Sequence, residues 1–209
     1  RVSRRSSRLF IVLEGPDGAG KSTLAKRLEA TLPNVLGCEV LLTAEPYLPL
    51  TRKWLSDKAV TARQLAVAFA HDRNVHLHTV VEPALKDNSV VICDRYTLST
   101  LVYQSVHNEP RFVEALCIGA REPDITIVVD ASVEVRMSRL QRTGKRADRF
   151  EESIMLQRQV GERYKELATQ GNYPILDGEQ DEQLVLRDAV RLIDAKLREI
   201  NRMPAGALV

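Results

Sequence analysis

A doubly wound α/β domain, with a five-stranded parallel sheet and helices on both faces, is the fold the sequence predicts, on three observations. Five short apolar runs alternate with stretches of helical periodicity. Each run is near-continuous in apolar residues, as a strand covered on both faces must be. Each run also carries an acidic residue at or just beyond its end, where loops bearing function gather in such sheets. The 209 residues suit one domain with an ample core, expected over residues 9–209 after a flexible basic leader at 1–8.

The first run, Leu9–Leu13, is followed by glycines and a helical stretch, Lys21–Leu32, that stops before Pro33. Val40–Thr43 is the second strand, and Ala62–Leu85 reads as one long helix with Leu65, Phe69, Leu77 and Val81 on a stripe. Val90–Cys93 and Leu98–Val106 form the next strand and helix. Ile125–Val129 precedes the helices Val133–Arg142 and Glu151–Thr169, and Pro174–Leu176 precedes Asp181–Ile200. No internal repeat interrupts this order.

Charge and cysteine content exclude several function classes. Thirty Lys and Arg against 28 Asp and Glu leave a net charge of +2, far from the excess of an electrostatic nucleic-acid binder. Locally, Arg1, Arg4, Arg5 and Arg8 lie in the Ser-rich leader, and 136–149 is dense in Arg and Lys. The leader has the composition of a transit-peptide remnant, although a flexible terminus is the simpler reading. Cys38, Cys93 and Cys117 show neither paired nor metal-ligand spacing, which fits reduced thiols in a cytoplasmic setting. No apolar run approaches the roughly 18 residues that span a membrane.

The stretch Gly15-Pro16-Asp17-Gly18-Ala19-Gly20-Lys21-Ser22 fits G-x-x-x-x-G-K-[ST], between a predicted strand and a predicted helix. Glycines let the loop wrap a phosphate with its amide N–H groups, and the helix N-terminus adds partial positive charge. Gly15, Asp17, Gly18, Ala19, Gly20, Lys21, Ser22 and Thr23 are therefore the candidate ATP and phosphate site, with Lys21 reaching the β/γ-phosphates and Ser22 holding Mg²⁺. A kinase, an ATPase motor and a GTPase share this cradle. The sequence lacks N-K-x-D and a D-x-x-G after the second or third strand, which excludes the GTPase. Asp94-Arg95-Tyr96 ends the third strand; there an acid can orient Mg²⁺ through water, and an Arg can bind phosphate in a forked geometry.

With FIVLEGPDGAGKST, TAEP, FAHDR, DRYTLSTLVYQ, PDITIVVD and RLQRTGKRADRFE in order from residue 10 to about 151, the chain resembles the thymidylate kinases among the nucleoside monophosphate kinases, a P-loop NTPase group. The resemblance implies transfer of the γ-phosphoryl group of ATP to dTMP with Mg²⁺, and a homodimer packed through helices. It implies that Phe69 stacks on the base while Arg73 donates to the thymine O4, a contact that cytosine would replace with a donor facing a donor. It places Thr100 facing the base, Tyr103 against the 2′ position of the sugar, Asp17 at the 3′-hydroxyl, Arg95 between the phosphates being joined and Arg52 on the acceptor 5′-phosphate. The lid at about 139–151 supplies catalytic cations in members with Gly at the position of Gly18, which points to Arg142 and Arg149, with Arg146 and Lys145 beside them. Lys21, Asp94, Arg95, Arg142 and Arg149 are thus the expected catalytic set.

The chain departs from the family pattern at T-R-E-P-Gly-Gly: Ala44 replaces the Arg, and Tyr47-Leu48-Pro49 replaces the glycines. The acceptor pocket is accordingly open to a 5-substituted deoxyuridylate, and a kinase for another deoxynucleotide is the alternative activity. A nucleotide-binding module without transfer is the alternative class. His71, His76, His78 and His107 form no ligand pattern and are expected on helix surfaces or in helix packing.

Overall fold

The computed structural model describes residues 8–87, 89–142 and 150–202, so residues 1–7 of the leader and most of the lid, including Lys145, Arg146 and Arg149, lie outside the described residues. Five parallel strands form one sheet in the order β2-β3-β1-β4-β5: β1 Leu9–Glu14, β2 Val40–Ala44, β3 Val90–Asp94, β4 Ile125–Asp130 and β5 Ile175–Asp177. The chain steps from β1 outward past β3 to β2, then returns across β1 to β4 and β5. Such an order leaves a crevice at the carboxyl ends of the central strands. Every strand lies within about a residue of its predicted span, because continuous apolar runs bounded by polar residues have few other ways to be buried.

The helices sort onto two faces as the strand periodicity requires. Leu9, Ile11 and Leu13 of β1 face α1 (Lys21–Leu36) and α9 (Glu182–Arg202), which contribute Leu24, Leu28, Val185 and Ile193 to one core. Phe10 and Val12, on the other side, pack with Leu77, Val81 and Leu85. A third cluster joins Leu98 and Val102 of α5 (Thr97–Tyr103) to Val128 and to Val160, Tyr164 and Ala168 of α8 (Phe150–Gln170).

The predicted helix spans need four corrections. α1 continues through Pro33 to Leu36, where Gly37 adopts φ 66° and returns its N–H to the Pro33 carbonyl, while Leu36 adds to the core. The long helix is divided into α3 (Ala62–His76), a π turn (Leu77–Val81) and α4 (Glu82–Lys86). Pro83 has no N–H for the Thr79 carbonyl and needs room against it, which the wider turn provides. Two short helices, α2 (Pro49–Trp54) and α6 (Pro110–Ala115), fall in stretches for which the sequence predicts no element; each begins with Pro, the residue preorganised for a first helical position. α3 itself starts at a reciprocal cap, with Gln64 N–H donating to Thr61 Oγ1 at 3.2 Å and Thr61 N–H donating to Gln64 Oε1 at 2.9 Å. α7 (Val133–Arg142) matches its predicted span.

Candidate active site

The loop after β1 is shaped by contacts that only glycine allows. Gly15 has φ 136°, and a Cβ there would lie 2.0 Å from the Val129 carbonyl oxygen; one on Gly18, at φ 79°, would lie 2.7 Å from that of Arg136. Gly20 opens α1 with no side chain capping the helix, which leaves first-turn N–H groups facing the loop. Lys21 is buried and donates from Nζ to the Pro16 carbonyl at 2.8 Å, across its own loop. Burial, and next the charge of Arg95, lower its pKa to about 7, against the opposing pull of Asp94, Asp17 and Glu14.

Ser22 Oγ donates to Asp94 Oδ2 at 2.5 Å, and Asp94 Oδ1 is buried with no partner. A hydroxyl and an unsatisfied carboxylate oxygen side by side are the ligand types that Mg²⁺ takes, directly or through water. Among the described residues no cluster of three or more His, Cys, Asp or Glu side chains could hold a metal by itself, so this pair suits an ion that arrives with phosphate oxygens.

Arg95 links the loop to the rest of the crevice. Its Nη2 donates to Asp17 Oδ1 at 2.7 Å, and its Nη1 donates to Ser99 Oγ at 3.1 Å and to Tyr164 Oη at 3.3 Å. Tyr103 Oη donates to the other Asp17 oxygen at 3.0 Å. Arg95 holds φ 74°, a left-handed conformation that costs an L-residue about 1–2 kcal/mol. It is fixed there by its N–H on the Leu13 carbonyl at 2.9 Å and by these side-chain bonds. Beneath it, Glu14 is fully buried and accepts from Tyr96 N–H at 2.8 Å, Ser99 N–H at 3.1 Å and Ser99 Oγ at 2.6 Å. Burial raises the Glu14 pKa, and the Ser99 hydroxyl and the Arg95 charge oppose that rise.

Beyond this cluster opens a cavity of about 360 Å³ that brings together Asp17, Phe69, Arg95, Thr100 and Tyr103, five of the residues singled out in the sequence, with Glu45, Pro46, Leu55, Tyr96, Ser99 and Gln104 completing the wall. Arg73 lies immediately behind Thr100, 2 % exposed, and donates from Nη2 to Thr100 Oγ1 and from Nε to Glu45 Oε2 at 3.1 Å. Phe69 and Arg73 therefore share one face of α3, although Arg73 meets the cavity through Thr100. Arg52, on α2, stands outside the lining; its Nε donates to the Pro46 carbonyl at 2.7 Å, which sets it at the rim formed by that loop. Arg142 is exposed at the end of α7 and is not drawn into the cluster.

A second cavity, about 120 Å³, lies on the far side of the phosphate loop against Thr23, Leu24 and Val129. Arg139 closes one wall, donating to the Gly18, Ala19 and Gly178 carbonyls at 3.2, 3.3 and 2.8 Å. Arg136, the first of the basic cluster, is committed to structure: fully buried, it joins α7 to α8 through Gln157 and the Ala131 carbonyl.

Reading the sequence missed Glu14, Ser99, Gln104, Arg139 and Tyr164. Glu14 carried a signal, an acid closing an apolar run. Tyr164 carried none, because its spacing with Val160 and Ala168 is that of a core stripe.

The family model described as thymidylate kinase matches residues 13–189. The chain is 36% identical over 206 residues to a probable thymidylate kinase of Thermococcus kodakarensis, covering 91% of this chain and all of that one. It is 39% identical over 178 residues to a thymidylate kinase of Afipia carboxidovorans, covering 76% of each, and 43% identical over 157 residues to one of Pseudomonas syringae pv. syringae, covering 69% of this chain and 73% of that one. Among solved structures, a thymidylate kinase from Ehrlichia chaffeensis superposes with a TM-score of 0.71 at 21% identity over 88% of this chain and 98% of that one, a likeness of fold.

Proposed function

Because the chain belongs to the thymidylate kinase family, its activity is phosphoryl transfer from ATP to dTMP, and we propose that the two cavities flanking the phosphate loop hold the two nucleotides. The observation that carries this reading is the Asp17–Arg95–Tyr103 cluster, which touches the loop on one side and the Phe69–Thr100 cavity on the other. A residue set that lines one cavity and bonds to the loop bordering the other is what direct, in-line transfer needs.

The triphosphate takes the loop amides and draws Lys21 Nζ away from the Pro16 carbonyl. Arg95 compensates charge between the two phosphates, and Asp17 orients the acceptor sugar through its 3′-hydroxyl. Tyr103 holds Asp17 and crowds the 2′ position. Phe69 stacks on the base, Arg73 and Thr100 read its O4 edge, and Arg52 turns from Pro46 onto the 5′-phosphate. Arg142, with Arg149 beyond the described residues, closes on the transferring group, where charge develops. Ser22 and Asp94 hold Mg²⁺ with the nucleotide. When bound, that ion neutralises charge on the transferring phosphoryl group. No covalent intermediate is required. We read residues 9–209 as one kinase domain with its lid at about 139–151.

The homodimer is part of this reading. The side of α3 facing away from the Phe69 cavity forms, with α2, a largely apolar groove of about 650 Å³ that includes Leu48, Leu50, Trp54 and Val67. Leu50 and Val67 are 57% and 49% exposed, a patch that a second copy of the chain would cover. No described helix is long and apolar enough to cross a membrane.

ADP formation from ATP and Mg²⁺, with dTMP, dUMP, dCMP, dGMP, dAMP and UMP offered separately, tests the activity. Rapid turnover of dTMP, weaker use of dUMP and little of the others is the expected pattern. Turnover of another acceptor with dTMP idle overturns the pocket assignment, and ATP binding without turnover of any acceptor overturns the activity.

A further inference from the structure

A buried polar chain that the transfer reaction does not itself require runs through the wall of the Phe69–Thr100 cavity, which Glu45 and Thr100 line. His76 is fully buried; its Nε2 lies 2.7 Å from Thr43 Oγ1 and its Nδ1 lies 3.3 Å from Glu45 Oε1. The other Glu45 oxygen accepts from Arg73 Nε at 3.1 Å, and Glu45 is the one carboxylate within ion-pair distance of Arg73 among the described residues. Arg73 in turn reaches Thr100 at the cavity wall. The path Thr43–His76–Glu45–Arg73–Thr100 therefore joins the end of β2, α3 and α5.

The tautomer follows from the partners. A carboxylate only accepts, so the ring nitrogen facing Glu45 must carry a proton, and in the neutral ring Nε2 is then the acceptor for the Thr43 hydroxyl. The opposite tautomer would set a lone pair against a carboxylate in a buried site. His76 thus donates to Glu45 and fixes the plane of its carboxylate, and that plane fixes the Nε edge of Arg73. A guanidinium is a rigid fork, so fixing one edge aims the other two nitrogens. Tyr47 stacks on the His76 ring, with centroids 4.9 Å apart at 17°, which brings the loop that departs from the family pattern into the same assembly.

We infer that His76, acting through Glu45, is a positioning residue for base selection: its Nδ1–H sets the aim of Arg73, and with it the preference for a pyrimidine carrying a carbonyl at C4. This inference rests on the base-reading role proposed above for Arg73.

Three variants separate the possibilities. In Asn the side-chain amide lies near the place of Nδ1, whereas in Gln it lies near Nε2. His76→Gln, which loses the donor to Glu45, is expected to raise KM for dTMP about tenfold and to lower the dTMP-over-dCMP preference in parallel, with kcat and KM for ATP little changed. His76→Asn restores the donor and is expected to raise KM no more than about threefold. A merely structural role would lower thermal stability in both variants without this split, and equal behaviour of the two, or an unchanged KM in His76→Gln, overturns the inference. Arg73→Ala measured alongside tests the premise. If it keeps the dTMP preference, the base-reading role is wrong and this inference falls with it; if it loses the preference while His76→Gln keeps it, the inference alone fails. Should His76→Gln not fold, Thr43→Val removes the hydroxyl that anchors Nε2 and so holds the ring against Glu45, and is expected to raise KM for dTMP about threefold; an unchanged KM there overturns the inference.

Discussion

The two halves of the crevice are made of different material. The phosphate side is built from backbone within a single turn of chain: glycine conformations at 15, 18 and 20, amides at the start of α1, and Lys21 folded over its own loop. The side we propose for the acceptor is built from side chains far apart in sequence, with Arg73 bonded to Glu45 and Thr100 across 28 and 27 residues, and Tyr103 bonded to Asp17 across 86. A backbone site recognises what every nucleoside triphosphate has in common. A side-chain network recognises one base and one sugar, and a single substitution can retune it.

That contrast predicts where damage is general and where it is selective. Lys21→Ala should lower kcat by about 10³-fold for every acceptor alike, because it removes positive charge from the transferring group. Loss confined to dTMP would blur the division. Arg73→Ala should reduce dTMP-over-dCMP discrimination by about 30-fold while leaving KM for ATP within about twofold, since a buried charged hydrogen bond is lost on one side only. Steady-state kinetics with both acceptors reads it, and retained discrimination removes Arg73 from base reading.

Lys21 also predicts a pH effect confined to the phosphate side. With its pKa lowered to about 7 in the nucleotide-free loop, the side chain is largely neutral above that pH. Triphosphate favours the charged form, so binding takes up a proton. ATP affinity is then greatest below pH 7 and weakens as pH rises, approaching tenfold per unit above the free-site pKa. Calorimetry in buffers of different ionisation enthalpy should show the uptake, and an affinity flat from pH 7 to 9 contradicts it. Tyr103→Phe is the mildest change: it removes one hydroxyl from Asp17 but keeps the ring, so kcat/KM for dTMP should fall about fivefold while dTMP remains preferred over its ribose counterpart. Loss of that sugar preference would move the 2′ contact from the ring to the hydroxyl.

The same contrast governs what could be read from the sequence. All five strands and the phosphate loop were legible, because their signals are contiguous: apolar runs, and glycines at fixed spacing before a helix. Phe69, Thr100 and Tyr103, which line one cavity, were singled out only through family resemblance, since a helical stripe of Leu65, Phe69, Leu77 and Val81 is equally a core stripe. Glu45, His76 and Tyr164 were not legible as parts of the site. Their partners lie on other elements, and only the order β2-β3-β1 and the course of α3 bring those elements together. The division of α3 from α4 escaped for a related reason, because periodicity registers helical spacing and not which carbonyl each N–H selects.

Asp72 is fully buried and spends both carboxylate oxygens on main-chain donors, accepting from the N–H groups of Tyr47 and Leu48 at 2.7 Å each. Those bonds specify the path of the loop without reference to what its residues carry. Where the family resemblance leads one to expect two glycines, an aromatic and an aliphatic residue have been installed on a loop whose main chain is held from below. Asp72 thereby makes positions 47 and 48 a place where heredity can experiment: Tyr47 rests on His76 and Leu48 lines the groove along α2, and either side chain can be exchanged on an unmoved main chain while the inherited phosphate machinery stays untouched.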